Sequence, residues 1–248
     1  MARVAIFGAT SAIAAEVAAL HAARGDALHL VGRDPAKLAA LAARLAGAKI
    51  APIVTRADFA DLDACAGVVA RVVESLGGLD TVLVAHGDLG DQLESEHDFA
   101  EAGRMITANF SSVVALLVPL ANHLEAARGG RLAVITSVAG ERGRPRNYTY
   151  GACKGALNLY LQGVRSRLYA AGVSVTTLKL GPVHTPMTET HPKNRLFATA
   201  PDVAADIVRV MDARQREAFV PRVWAAIMPV VRWAPEALFQ RLKFLSGR

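Results

Sequence analysis

A tyrosine and a lysine four residues apart, Tyr150 and Lys154, open an alanine-rich stretch that reads as a helix, which puts both side chains on one face. Ser137 stands thirteen residues before Tyr150, just past a β-branched run. An ammonium about 4 Å from a phenol is worth roughly 4 kcal/mol at an effective dielectric of about 20, or about three pK units. On that arithmetic the Tyr150 phenol is lowered from about 10 toward about 7, where it exchanges a proton with an alcohol. The same spacing occurs on solvated helix faces, so the chemistry depends on what else converges there. Tyr148 lacks such a partner, because Ala152 stands four residues after it.

The turn Gly8, Ala9, Thr10, Ser11, Ala12, Ile13, Ala14 leads from an apolar strand directly into a helix. Such a turn offers backbone N–H groups and the positive end of a helix to a pyrophosphate. Ala12 and Ala14 stand where a dinucleotide loop normally has glycine, and alanine is the mildest replacement. After the second strand come Gly32 and Arg33, at the place where an NAD site carries a ribose-binding carboxylate. A guanidinium there suits a 2′-phosphate and can stack on adenine, so NADP(H) is favoured over NAD(H). The other reading of Arg33 is a solvated residue ahead of a helix that Asp34 caps. Asp58, after the third strand, either holds the adenine amino group or caps the next helix.

These residues need a frame, and the sequence supplies one. Short β-branched runs at Val4 to Phe7, Leu28 to Val31, Ile50 to Val54, Thr81 to Val84, Leu132 to Thr136, Val173 to Leu178 and Ala218 to Val220 alternate with helical stretches. The helices are expected at Ser11 to Arg24, Pro35 to Ala46, Leu62 to Leu76, Phe99 to Ala127, Tyr150 to Ala171 and Asp202 to Arg214. The strands read as apolar on both faces, as a sheet covered on two sides requires. The expected fold class is α/β, a single Rossmann-type doubly wound parallel sheet of about seven strands with helices on both faces. Residues 182–199, with three prolines and little periodicity, read as a long loop beside the substrate.

Composition narrows the function classes. At 248 residues the chain is long enough for one sizeable core, and 52% hydrophobic with 20% charged residues excludes a disordered chain. Cys65 and Cys153 are too few and too far apart for a disulfide framework or a zinc site, which points to a reducing, cytoplasmic setting. The net charge of +6 comes from 28 Lys and Arg dispersed among 22 acids, so no nucleic-acid partner is expected. No run of about 18 uninterrupted apolar residues marks a transmembrane helix.

Taken together, the motifs resemble those of the short-chain dehydrogenase/reductase family over nearly the whole chain. The family's Tyr-x-x-x-Lys is matched by Tyr150 to Lys154, its substrate-binding serine by Ser137 and its helix asparagine by Asn109. Its Asn-Ala-Gly signature is matched by Ala85, His86 and Gly87, with the asparagine lost and His86 set toward the nicotinamide side. Its turn after the sixth strand is matched by Gly181, Pro182, Val183, His184 and Thr185, with a leading proline lost and Thr185 kept for the carboxamide. The resemblance implies that Tyr150 is the acid and base, Lys154 lowers its pKa and holds the nicotinamide ribose, Ser137 polarises a carbonyl, and Asn109 supports a water relay from Lys154. It also implies a homodimer or homotetramer packed through the helices containing Asn109 and Tyr150.

The division expected from sequence is an NADP-binding domain over 1–221, including the loop 182–199, and an amphipathic extension over 222–248. That extension carries Trp224, Ile227, Met228, Val231, Trp233, Leu238, Phe239, Phe244 and Leu245 beside Arg222, Arg232, Arg241, Lys243 and Arg248. Tryptophan and arginine on amphipathic helices suit a peripheral membrane contact, and a subunit contact or a cover over the sheet edge suits them equally. Within the family the tail resembles reductases of polyprenyl-phosphate-linked keto-pentoses, which implies a lipid-linked carbonyl substrate at the inner face of a membrane. The function expected is NADPH-dependent reduction of a carbonyl. A non-catalytic NADP-binding sensor or scaffold is the alternative that Ala12, Ala14 and His86 leave open.

Overall fold

The computed structural model describes residues 1–189 and 194–241; residues 190–193 of the proline-rich loop and 242–248 of the tail, with Lys243, Phe244, Leu245 and Arg248, lie outside the described residues. Seven strands form one parallel sheet: β1 (Arg3–Phe7), β2 (Ala27–Gly32), β3 (Ile53–Arg56), β4 (Thr81–Val84), β5 (Arg131–Ser137), β6 (Ser174–Leu180) and β7 (Glu217–Val220). Their spatial order is β3-β2-β1-β4-β5-β6-β7. The chain therefore winds outward from β1 to β3, then returns to β4 on the other side of β1. That reversal opens a crevice at the carboxyl ends of β1 and β4, where doubly wound sheets bind ligands.

Two apolar cores cover the sheet faces. On one, Val113, Leu116, Leu117, Leu120 and Leu124 of α6 (Ser112–Ala127) and Val68, Val69 and Val72 of α3 (Ala64–Leu76) pack on the sheet with Leu157 and Leu161 of α7 (Tyr148–Leu168). On the other, Val17 and Ala18 of α1 (Ala12–Ala23) and Leu38 and Leu41 of α2 (Pro35–Arg44) pack with Val203 and Ile207 of α8 (Ala200–Asp212). The helical run from Phe99 to Ala127 has the length and composition to cross a membrane. Its α6 leucines are buried in the first core, which is what a central helix beneath a parallel sheet requires.

Several expectations are corrected. The third strand starts at Ile53 rather than Ile50, since Pro52 has no N–H to offer, and its pairing runs His29 to Ile53 through Gly32 to Arg56. It is an edge strand with Ile53 40% exposed, so the rule that strands are apolar on both faces fails there. Helix α7 starts at Tyr148, two residues early, and leaves Tyr148 exposed in its first turn. After the short α4 (Gln92–Ser95), the run from Phe99 is α5 (Phe99–Ile106), a π-helical turn (Thr107–Ser111) and then α6. The loop after β6 is not structureless: Val183 bridges Ala198, and Pro186–Thr188 forms a short 3-10 turn.

The tail residues divide by face. Trp224, Met228 and Val231 of α9 (Trp224–Trp233) and Phe239 of α10 (Glu236–Arg241) are buried with Val138 in a third, smaller core. Trp233 is 80% exposed and Val230 72%, on the opposite face.

Candidate active site

The loop motifs follow the carboxyl ends of strands, whereas Asn109, Tyr150 and Lys154 stand on helical segments. Gly8 follows β1 with φ +82°, and a Cβ there would meet the His86 backbone nitrogen at 2.6 Å, so only glycine lets the first turn pass the loop after β4. Ser11 caps α1, its Oγ accepting from the Ala14 N–H at 3.2 Å. The N–H groups of Ala12 and Ile13, in the first helical turn, have no intrahelical acceptor and point out of the positive end of the helix. Ala14 is fully buried, so its methyl fills core between helix and sheet rather than the phosphate side. Thr10 packs at the end of β2, within 3.1 Å of where a Cβ on Gly32 would sit.

Arg33 is exposed and, among the described residues, has no ion-pair partner. Asp34 does cap α2, accepting from Ala36 N–H at 2.9 Å and Lys37 N–H at 3.1 Å. The cap and the guanidinium are thus separate features, and the second stays available to a ligand. Asp58 is exposed and its Oδ1 accepts from the Ala60 N–H at 3.0 Å, which uses one oxygen in a local turn. Donors at the start of α1, a glycine turn and a cation at the end of β2 fit a dinucleotide phosphate backbone.

Ser137 ends β5, and its Oγ accepts from the Ala139 N–H at 3.0 Å and donates to the Leu180 carbonyl at 3.4 Å. The short turn Val138–Glu141 that follows packs backbone to backbone on α7, because a Cβ at Gly140 would meet the Gly155 nitrogen at 2.6 Å. This contact fixes the Ser137 strand end against the first turns of the Tyr150 helix. Lys154 is only 2% exposed. Its Nζ donates to the Ile135 carbonyl at 3.4 Å and lies 5.5 Å from the Tyr150 ring centroid.

Asn109 sits in the π turn, a helix irregularity that often marks a functional position. Its Nδ2 donates to the Asp88 carbonyl at 2.6 Å and the Met105 carbonyl at 2.9 Å, and its Oδ1 accepts from the Asp88 N–H at 3.0 Å. The amide therefore clamps the loop after β4 and holds Gly87 against Lys154, whose Nζ is 3.1 Å from a Cβ placed on Gly87. Asp88 itself, which the sequence reading passed over although it directly follows Ala85, His86 and Gly87, pairs with Arg104 of α5, which also binds Glu101. His86 bonds Ser112 Oγ through Nε2 at 2.8 Å and packs on Phe59 with ring centroids 4.6 Å apart.

The electrostatics differ from the spacing argument. Burial pushes the Tyr150 phenol up to about 12; the Ser137 hydroxyl pulls it down, and Cys153 and Asp88 push it further up. Burial lowers Lys154 to about 8. The expected fall of Tyr150 toward 7 is thus corrected, because the cost of desolvating the phenolate is the largest influence on the group. His86 is lowered to about 3 by burial and by Lys154, and is neutral at physiological pH.

In the loop after β6, the Pro182 carbonyl accepts from Ala198 N–H at 3.1 Å and Val183 is buried. Thr185 N–H donates to Thr188 Oγ1 at 3.3 Å. Met187 reaches across to a cleft of about 770 Å³ whose other walls include Asp88, Leu89, Gln92, Arg104 and Asn147. The cleft is bounded by the loop after β4 on one side and the loops before α7 and after β6 on the other.

A parallel doubly wound sheet with a phosphate-ready first turn and a serine, tyrosine and lysine beyond β5 defines a nucleotide-dependent oxidoreductase fold. A family model described as short chain dehydrogenase matches residues 2–196. The chain is 34% identical over 240 residues to an uncharacterized oxidoreductase of Mycobacterium tuberculosis, with 96% of each chain covered. It is 31% identical over 242 residues to an uncharacterized oxidoreductase of Streptomyces coelicolor, covering 96% of this chain and 94% of that one. Among solved structures, levodione reductase superposes with a TM-score of 0.78 at 23% identity, over 87% of this chain and 93% of that one. An actinorhodin polyketide ketoreductase variant solved with NADPH superposes with a TM-score of 0.79 at 19% identity, over 88% and 95%. The chain belongs to the short-chain dehydrogenase/reductase family and is an NAD(P)-dependent oxidoreductase.

Proposed function

We propose that this protein reduces a carbonyl to an alcohol with NADPH, using Ser137, Tyr150, Lys154 and Asn109. The reading is carried by the convergence of Ser137, at the end of β5, with Tyr150 and the buried Lys154 on α7, held together by the backbone contact of Gly140 on Gly155. When bound, NADPH supplies the hydride. Ser137 and Tyr150 donate hydrogen bonds to the carbonyl oxygen, and Tyr150 gives that oxygen its proton as negative charge develops there. Lys154, protonated below about 8, stabilises the tyrosinate left behind and holds the ribose hydroxyls. Asn109 fixes Gly87 and Asp88 so that the Lys154 ammonium keeps its place, and its Oδ1 retains a lone pair for a water relay. A phenol held protonated suits reduction more than alcohol oxidation.

In this reading Gly8, Thr10, Ser11 and Ile13 cradle the pyrophosphate, Arg33 takes the 2′-phosphate, and Asp58 faces the adenine. Ala85, His86, Gly87, Gly181, Pro182, Val183 and Thr185 line the nicotinamide end. Arg33→Asp is expected to weaken NADPH by roughly tenfold or more, the loss of a charge-assisted pair, and to change NADH far less. Fluorescence titration with both cofactors checks this, and equal losses would reduce Arg33 to a surface charge.

We assign 1–221 to cofactor and substrate binding and 222–248 to an amphipathic extension whose outer face meets an anionic membrane carrying a lipid-linked keto sugar. Exposed Val230, Trp233 and Leu238 beside Arg222, Arg232 and Arg241 support that assignment. Exposed Phe99, Val118 and Leu159 on α5, α6 and α7 support a homo-oligomer through those helices. Flotation with anionic vesicles, paired with sedimentation of the same samples, separates the covers for the tail. Salt-sensitive flotation lost in Trp233→Ala with assembly unchanged is expected; no flotation, and a smaller assembly in that variant, would make the tail a subunit contact.

A further inference from the structure

The loop that carries Ser137 and the loop that starts at Gly181 leave neighbouring strands, β5 and β6, and the same C-terminal helix pair touches both. Val138, the residue after Ser137, is buried against Trp224, Met228, Val231 and Phe239. The Trp224 indole lies so close over Gly181 that a Cβ there would meet its Nε1 at 2.0 Å.

Arg142 ties the pair down. Its guanidinium, 11% exposed, donates to the Val231 carbonyl at 3.0 Å, to the Arg232 carbonyl at 3.2 Å and to the Ala234 carbonyl, and pairs with Glu236 at 2.6 Å. Its carbon also sits 4.1 Å from the centroid of the Phe239 ring. A cation that takes the free carbonyls at the end of α9 satisfies groups the helix cannot satisfy itself and opposes its dipole. Next to it, the buried Glu141 carboxylate pairs with Lys179 of β6 at 2.8 Å and accepts from Asn158 Nδ2 at 3.2 Å. Asn158 lies one turn beyond Lys154 on α7. Thus residues 141 and 142, a few positions past Ser137, join that loop to β6, α7, α9 and α10.

We propose that α9 and α10 form a clasp that holds Ser137 and the Gly181 segment in register with Tyr150, with Arg142 as its positioning residue. Arg142 touches no reacting atom; it acts through the turn Val138–Glu141, whose placement sets the serine hydroxyl. A displacement of about 1 Å at a reacting group can cost roughly a hundredfold in rate, so the clasp bears on turnover as well as on stability. This inference rests on Ser137 being the carbonyl ligand.

The test is carried out on the full chain with Arg142→Ala and Arg142→Lys, and with Val72→Ala in α3 as a core substitution remote from the clasp. In Arg142→Ala, amide hydrogen exchange should quicken over 138–143 and 181–183 and stay at the parent level in β1 and β4. Its kcat should fall by roughly tenfold to a hundredfold, while KM for NADPH stays within about threefold. Arg142→Lys should recover part of kcat, because an ammonium still reaches carbonyls but cannot bridge them to Glu236 and stack on Phe239. Val72→Ala should lower the melting temperature without lowering kcat. Should Arg142→Ala not fold, Arg142→Lys carries the same two readouts.

Unchanged exchange over both loops would remove the clasp, even if the parent turns over carbonyls. Quickened exchange with kcat within about twofold of the parent would leave Arg142 a stabilising contact only and overturn the positioning role. A parent that turns over no carbonyl would instead remove the reading of Ser137 on which the role depends, and with it that role.

Discussion

Tyr150→Phe is expected to lower turnover by roughly two to four orders of magnitude, the range for losing a positioned acid, while NADPH binding stays near the parent level. Only the hydroxyl is removed, and the half-buried ring keeps its place over the first turn of α7, so the melting temperature should barely move. The phenol held up at about 12 is protonated throughout the working range, so it is a donor that needs no prior protonation for reduction. A rate loss in kcat without a change in cofactor affinity marks an interaction made in the transition state. Full turnover by the phenylalanine variant would remove Tyr150 as the proton source.

Lys154→Met should differ in kind. The thioether keeps the stem but deletes the ammonium, so turnover falls by roughly two to four orders of magnitude and NADPH also weakens by about tenfold to a hundredfold, the loss of charge-assisted hydrogen bonds. The pH dependence follows from the lowered Lys154. Burial brings it to about 8, so the ammonium is complete below that value and lost above it. Accordingly kcat/KM for carbonyl reduction should decline as pH rises through about 8, and the residual activity of Lys154→Met should lack that limb. Parent-like NADPH affinity in the variant, or an unchanged limb, would contradict the double role. Steady-state profiles and cofactor titration measure both.

The sheet was readable because its buried strands are β-branched runs covered on both sides, as at Thr81–Val84, where sequence and structure coincide. The third strand slipped by three residues because the apolar run Ile50 to Val54 spans Pro52, and hydrogen bonding rather than hydropathy decides where an edge strand begins. Helix α7 started early because Arg146 and Asn147 follow Pro145, so the turn closes with the Gly151 N–H on the Asn147 carbonyl at 2.8 Å. In the site, the motif residues announced themselves by type and spacing. Their electrostatics did not, since the proton affinities of Tyr150 and Lys154 are set by burial that no four-residue spacing encodes.

The π turn at Asn109 was equally hidden, because its reason is the bond to Asp88, twenty-one residues away. Arg142 stands in a Gly, Arg and Pro run that reads as a basic surface loop. Its partners stand about ninety residues on, at Val231, Arg232 and Ala234. The tail reads as amphipathic, and its described residues carry a buried face of Trp224, Met228 and Val231 and an exposed face with Val230 and Trp233. Periodicity alone could find the two faces but not name which loop the inner one would hold.

The most direct test of carbonyl reduction uses NADPH carrying deuterium at both C4 positions of its nicotinamide ring, incubated with the protein and a panel of ketones, aldehydes and keto sugars. Absorbance follows cofactor oxidation, and mass spectrometry of the products locates the label. At least one carbonyl is expected to be reduced in step with NADPH oxidation, its new alcohol carbon carrying deuterium, with no such product from Tyr150→Phe above its residual rate. NADPH bound tightly but never oxidised, with every carbonyl returned unlabelled, would contradict that expectation and make the protein a cofactor-binding sensor or scaffold.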